Sequence, residues 1–354
     1  MPPTRRHALT TIAATSTLGL AGCTSQIPGL QSNDNPEDNT GNTDNGSTEE
    51  EEESSNELGV QTGGFTADNF ETIAFTGEVT GVGDHESVEA GIQIKSFYAD
   101  DWHPEGRRQA IEFENLAQPR EYTWEVERTI WGGGEHQYRA VVNTDSREEP
   151  LHGETKTLTL QDLPIETPEI EFSTPSLDTN DPAVVEIPVE NVSDVTSGVI
   201  RGDVQWFDSN DTFLGDSYGR LHFLRGGEEG VLRVSSYADG ITQDSIDDFE
   251  HTTRYSPVFE PMDGMEVVSS SMSLETPRRN ITGVATNELS DPPSYVDAVA
   301  RFFDSDGTVI GNINDRQTVR DVPEGSNWEF EVRISREHVD VARAADDYEV
   351  VLLQ

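Results

Sequence analysis

The sequence predicts an all-β fold, a series of tandem β-sandwich modules that follows an export segment and an acidic tether. Three observations predict it. After Phe65, apolar and polar residues alternate with period two in one short segment after another, and helical spacing is scarce. Clusters rich in Gly, Pro, Asn and Asp separate these segments at the spacing of turns. One pair of segments also occurs twice, at 206–215 and 302–311.

The chain opens with Arg5 and Arg6, an apolar stretch from Ala8 to Ala21, and small residues leading into the only cysteine, Cys23. That is the layout of an export signal. The stretch falls short of the roughly 20 apolar residues that a membrane helix needs. Leu20, Ala21, Gly22 and Cys23 resemble a lipoprotein signal box. The resemblance implies that residues 1–22 are a signal peptide, that Cys23 is lipidated, and that membrane lipid is its partner at the extracellular face of the cell membrane. Stable anchoring takes two lipid signals, so a multiply acylated Cys23 is expected. Thr4, Arg5 and Arg6 with Leu9 also resemble a twin-arginine (Tat) signal, although Ala8 stands where that family carries a large apolar residue.

Residues 23–64 read as a disordered tether. Between Thr24 and Gly64 the chain is mostly Asn, Asp, Gly, Ser, Thr and Glu, with too little to bury to offset the entropy of ordering. Its acids, including the run Glu49 to Glu53, face no Lys or Arg, so self-repulsion extends it.

The whole chain carries 68 acidic and 23 basic residues, a formal charge of −45. Lys95 and Lys156 are the only lysines. Such a surface resembles proteins of salt-loving archaea, in which molar salt shortens the Debye length to about 3 Å and removes self-repulsion. The same charge excludes nucleic acid and anionic lipid surfaces as partners. With Cys23 spent on the anchor, the mature body has no disulfide-linked partner, cysteine nucleophile or thiolate metal site.

The first module is expected over 65–167. "EAGIQIKSFYA" alternates Ala90, Ile92 and Ile94; "EYTWEVERTI" and "QYRAVVNT" alternate on either side of the Gly-rich "WGGGEH" and are expected to pair as a β-hairpin. Leu158, Leu160 and Leu163 close the module. Short strands of this kind suggest an immunoglobulin-like sandwich.

The second and third modules, 168–275 and 276–354, carry the repeat. "WFDSNDTFLG" and "FFDSDGTVIG" align without a gap. Ile200, Gly202, Val204 and Trp206 alternate in register with Val296, Ala298, Ala300 and Phe302. Upstream, "VENVSD" matches "ATNELSD"; downstream, "LRGGEEGVLRV" matches "VPEGSNWEFEV". This pattern resembles the FxLYD domain family, small extracytoplasmic β-sandwich modules of lipoproteins, and the resemblance implies that fold with no established activity. The segment 237–264 reads as an insertion outside the pattern. "EHVDVARAADDY" predicts one or two helical turns before a last strand, "YEVVLL".

Candidate sites are few. "GDSYG" matches the Gly-x-Ser-x-Gly elbow of serine hydrolases, with Ser217, Asp247 or Asp248, and His251 in the right chain order; the elbow, however, needs a strand-to-helix turn, and Ser217 follows a hairpin. Asp208 and Asp211, with Asp304 and Asp306, could ligate Ca²⁺, but neither segment supplies a full calcium loop. The alternative is a hairpin turn in which Asp caps the backbone and Asp211 or Gly307 takes positive φ. His85, His103, His136 and His152 are not spaced as metal ligands. Trp102, Trp124 and Trp131 could form a platform for a glycan, or be core. Asn45, Asn191, Asn210 and Asn280 begin glycosylation sequons. The reading is therefore a non-enzymatic, cofactor-free, lipid-anchored surface protein for protein–protein interaction or envelope scaffolding. Its partner is an unknown envelope protein or glycan, the alternatives being a glycan- or metal-ion-binding lipoprotein and, remotely, a serine hydrolase.

Overall fold

The computed structural model describes residues 58–353 except 71, 81–86, 113–118, 128–129, 145–147, 180–181, 237–244, 258, 260–261 and 320–321. The export segment, Cys23, the acidic run and His85 lie outside the described residues.

The first sandwich holds β1 (Gly59–Ala67), β2 (Thr72–Thr80), β3 (Ser87–Lys95), β4 (His103–Glu112), β5 (Arg120–Glu127), β6 (His136–Asn143), β7 (Leu151–His152) and β8 (Lys156–Leu158). One sheet has the order β1-β2-β5; the other is β4-β3-β6-β7, with β8 also on β6. Alternating residues of both sheets meet between them: the Phe75 and Tyr138 rings lie 5.0 Å apart, and Tyr122 donates from its hydroxyl to the Gly91 carbonyl. Two expectations change here. The segments around "WGGGEH" do not form a hairpin; β5 pairs with β2 and β6 with β3, so the chain crosses from one sheet to the other. The body also starts at Gly59, inside the expected tether 23–64. Thr62 is buried there and its hydroxyl accepts the Ala140 amide, while a register shift between Thr62 and Phe65 accommodates the Gly63-Gly64 pair.

The second sandwich holds β9 (Ile170–Phe172), β10 (Ser176–Asp178), β11 (Val184–Asn191), β12 (Ile200–Phe207), β13 (Phe213–Leu221), β14 (Glu229–Ser235) and β15 (Asp248–Tyr255). The third holds β16 (Met265–Ser273), β17 (Asn280–Asn287), β18 (Tyr295–Phe303), β19 (Val309–Thr318), β20 (Asn327–Arg333), the short helix α1 (Val339–Ala344) and β21 (Asp347–Leu353). Each is an immunoglobulin-like pair of sheets. β13-β12-β15 faces β10-β11-β14 in the second, and β19-β18-β21 faces β16-β17-β20 in the third. The boundary falls earlier than residue 276, because β16 pairs with β17. The apparent insertion likewise contains β15, an edge strand paired with β12 that takes the place β21 takes beside β18 in the third sandwich.

The two copies repeat down to single hydrogen bonds. Asn191 and Asn287 are buried at matching strand ends. Asn191 Nδ2 donates to the carbonyls of Val195 and Leu224, and Asn287 Nδ2 to those of Leu289 and Val322. Each backbone carbonyl accepts the amide of a turn glycine in the left-handed region, Gly227 (φ 73°) or Gly325 (φ 75°). The hairpins after Trp206 and Phe302 carry the same register shift.

The modules are joined rather than strung. The hydrophobic core runs without a break from the first sandwich into the second, where the Gly132 and Tyr255 backbones form a bridge and Gln161 donates to the Tyr255 hydroxyl. Between the second and third, β14 pairs in parallel with β19 at Gly230 and Val309, which makes one seven-stranded sheet out of halves of two sandwiches.

Candidate interaction surfaces

The junction of the second and third sandwiches builds the most developed polar constellation among the described residues. β18 turns Arg301 away from its own sandwich core and toward the second sandwich, where the side chain is 1% exposed between hydrophobic sequence neighbours. Its guanidinium donates to Glu228, on the turn before β14, and to Glu349 of β21. Arg225 reaches the same two carboxylates, donating to Glu349 at 3.1 Å and Glu228 at 3.3 Å. Burial alone would raise the Glu228 carboxyl, but the Arg301 hydrogen bond, the Arg225 amide and the two positive charges outweigh it and hold the group below its ordinary range. Asn312 completes the junction, accepting the His222 amide and donating to the Arg220 carbonyl. Burial, with help from the Arg220 charge, pushes the His222 imidazole down to about 4.

Above this junction lies a groove of about 770 Å³. Asp216 to Leu221 of β13, with His222 just after it, form one wall, Gly311 to Asp315 of β19 the other, and Arg233, Arg333 and His338 line it. A side chain at Gly219 would place its Cβ 2.0 Å from the Arg233 carbonyl oxygen, so the close approach of β13 to β14 that shapes the wall requires glycine there.

The sequence candidates fall elsewhere or do other work. Asp208 and Asp304 cap matching hairpin turns: each Oδ1 accepts two backbone amides, from Asn210 and Thr212 or from Asp306 and Thr308. Those bonds hold the Asp208 carboxyl below its ordinary value, Thr212 contributing most. Asp211 (φ 61°) and Gly307 (φ 85°) occupy the left-handed position. Among the described residues no group of three His, Cys, Asp or Glu side chains is arranged to hold a metal ion.

Ser217 and His251 sit on β13 and β15, both opposite Val204 of the strand between them. Their backbones are thus two strand spacings apart, about 10 Å. The Ser217 hydroxyl accepts the Trp206 indole N–H, and the segment is a strand rather than an elbow. The three tryptophans of the first sandwich do not assemble a platform: Trp124 is core, Trp102 lies under Arg139, and Trp131 lies by Arg254. Of the sequons, Asn191 has its amide buried and bonded, which removes it as an acceptor in the folded chain; Asn280 opens β17 and Asn210 is exposed on a turn. His136 is buried against the Phe97 and Tyr98 rings with Nε2 on the Trp131 carbonyl, while His103 and His152 are exposed on separate strands.

Sequence reasoning missed the junction. A charged residue in "AVARFF" was its single local signal.

No protein-family model matches the chain, and no curated protein does. Among solved structures, the chain is similar to red sea bream transglutaminase at 8% identity and a TM-score of 0.22, covering 79% of this chain and 31% of that one. It is similar to the chicken CNTN1 FN1-FN3 domains at 11% identity and a TM-score of 0.21, covering 83% and 94%. It is also similar to dimeric latent PorU from Porphyromonas gingivalis at 13% identity and a TM-score of 0.17, covering 82% and 31%. The chain thus spans about a third of the transglutaminase and of PorU. At such scores no activity or partner is carried over from any of the three.

Proposed function

We propose that this chain is a non-enzymatic, lipid-anchored protein of the outer face of the cell membrane in a salt-loving archaeon, presenting its sandwiches to a partner in the envelope. Cys23, after the Leu20-Ala21-Gly22 box, is the acyl acceptor, and Arg5 and Arg6 direct export. Residues 168–354 are a pair of FxLYD-like modules, a grouping supported by the matched Asn191 and Asn287 networks.

One observation carries the interaction reading: the modules are locked together by a continuous sheet and by Arg301 between Glu228 and Glu349. An array fixed in this way holds surfaces of different modules in one arrangement, which suits recognition of a partner that touches more than one of them. No helix among the described residues is long and apolar enough to cross a membrane.

The test is in-cell crosslinking at native salt, with an affinity tag after Gln354 and mass spectrometry of captured proteins. A reproducible envelope partner is the expected result; an empty capture in a working assay overturns the interaction role. Fractionation of Cys23→Ser tests the anchor separately, since a variant that still sediments with membranes would show the lipid reading to be wrong.

A further inference from the structure

Three arginines stand on one rung of the outer face of the second sandwich. Register places Arg201 of β12 directly opposite Arg220 of β13 on one side and Arg254 of β15 on the other. Adjacent strands lie about 4.8 Å apart, so three guanidinium stems share a line about 10 Å long. Like charges in direct opposition destabilise a sheet.

A single carboxylate serves the rung. Asp203 lies 2.6 Å from Arg201 and 2.7 Å from Arg254. Arg220 makes no ion pair among the described residues; its guanidinium lies 5.0 Å from the Tyr218 ring, with Arg201 at 4.4 Å from the same ring. Exposure is graded along the line. Arg254 is 13% exposed, covered by Tyr98 and Trp131 of the first sandwich, Arg201 is 25% exposed, and Arg220 and Tyr218 (56%) are open.

The fold does not require this arrangement. In the third sandwich the same rung reads Arg316, Asp297 and Leu353, and Arg316 is paired with Asp297 at 2.9 Å. One copy of the repeat is therefore neutralised, and the other carries an excess of two positive charges in a chain of formal charge −45.

We infer that Arg220, Arg201 and Tyr218, backed by Arg254, form a binding site for an extended acidic polypeptide segment of a partner protein. Planar guanidinium forks match carboxylates bidentately. A line of guanidiniums that length exceeds what one carboxylate covers, and acidic side chains two residues apart on an extended chain project to the same side about 6.7 Å apart, within reach of Arg201 and Arg220. The groove continues from this rung. Tyr218 and Arg220 line it, Arg233 and Arg333 lie further along, and its wall from Asp216 of β13 to His222 just beyond the strand makes about 20 Å of extended trough. In molar salt the net charge is screened within about 3 Å, so local complementarity decides which segment docks.

The inference rests on the interaction reading above and names its partner's chemistry. Fluorescence anisotropy of the full chain in about 1 M KCl would use a labelled peptide of alternating Glu and Ser, with the Gln–Ser peptide and an oligogalacturonate of equal charge as controls. The Glu peptide is expected to bind and the Gln peptide not to. Arg220→Gln and Arg201→Asp, the latter recreating the paired rung of the third sandwich, are expected to weaken binding about tenfold or more, and Arg316→Gln to leave it unchanged. Far-UV CD confirms that each variant is folded. Absence of saturable binding, binding indifferent to Arg220→Gln, or preference for the oligogalacturonate would each overturn the inference. Capture of an envelope partner in cells together with failure of the Glu peptide would remove this site and leave the interaction role standing; the converse would remove the role and leave the site.

Discussion

The Arg301 guanidinium of the third sandwich lies 4.2 Å from the Phe223 ring of the second, pinned between Glu228 and Glu349. The relationship is one of dependence. A buried guanidinium that loses a partner keeps its desolvation cost, so Glu228→Ala is expected to destabilise by about 2 kcal/mol, reduced from the fully buried case by the partial exposure of Glu228. Arg301→Met removes the charge itself and is expected to cost less. Chemical denaturation of both variants in molar KCl checks the order. Because the Glu228 carboxyl sits below its ordinary 4.5 in the folded chain, its contribution is present above that pH and is lost as pH falls through the folded value. Wild type should therefore lose more stability below pH 4.5 than Glu228→Gln does.

His222 gives the opposite residue type with the same slope. Its folded value of about 4 lies under the ordinary 6.5, so the unfolded chain binds a proton that the folded chain refuses between those pH values. Stability is full above pH 6.5 and falls as the pH drops toward 4, by up to about 3 kcal/mol. The stability of wild type measured against His222→Gln should fall by that amount from pH 6.5 to pH 4; a parallel pair of denaturation curves would refute the assignment.

At the matched turns, Gly307→Ala places a Cβ at φ 85° and is expected to cost about 1 kcal/mol. Asp211→Gly, at φ 61°, should be neutral or stabilising by a few tenths of a kcal/mol, since the strain already exists there. Thermal melts of the two variants should move in opposite directions or, at most, one should not move.

Gly219→Ala meets backbone rather than a side chain that can swing aside, because the Arg233 carbonyl stands 2.0 Å from the new Cβ. A loss of about 3 kcal/mol or more, with opening of the groove wall, is the expected outcome. Denaturation at fixed salt measures it.

The surface charge sets one further expectation. Dialysis from molar to millimolar KCl should unfold the chain, followed by far-UV CD, because the self-repulsion of 68 acids is unscreened at low ionic strength. A flat CD signal across the series would count against the salt-loving assignment.

Much of this fold was legible in residue order. Alternation located the strands, and the gapless match of 206–215 to 302–311 located the two turns and the residues with positive φ, since turn chemistry is local. What alternation does not encode is the partner of a strand. β5 and β6 read as neighbours, yet each finds its mate in a different sheet, a choice made by packing across the core. β1 was hidden by the Gly and Thr of "GVQTGGFTA", which resemble tether until Thr62 is seen bonding β6. Arg301 stood in plain view, but its carboxylates come from 73 residues before it and 48 after, a distance no local pattern spans.

The two copies of the repeat also differ at one matched strand position. Where β14 has Gly230, which pairs in parallel with Val309 of the next copy, β20 has Trp328. The indole is buried in its own sandwich, 5.7 Å from the Phe330 ring. The same duplicated position is thus given over to a neighbour in one copy and to self-filling in the other.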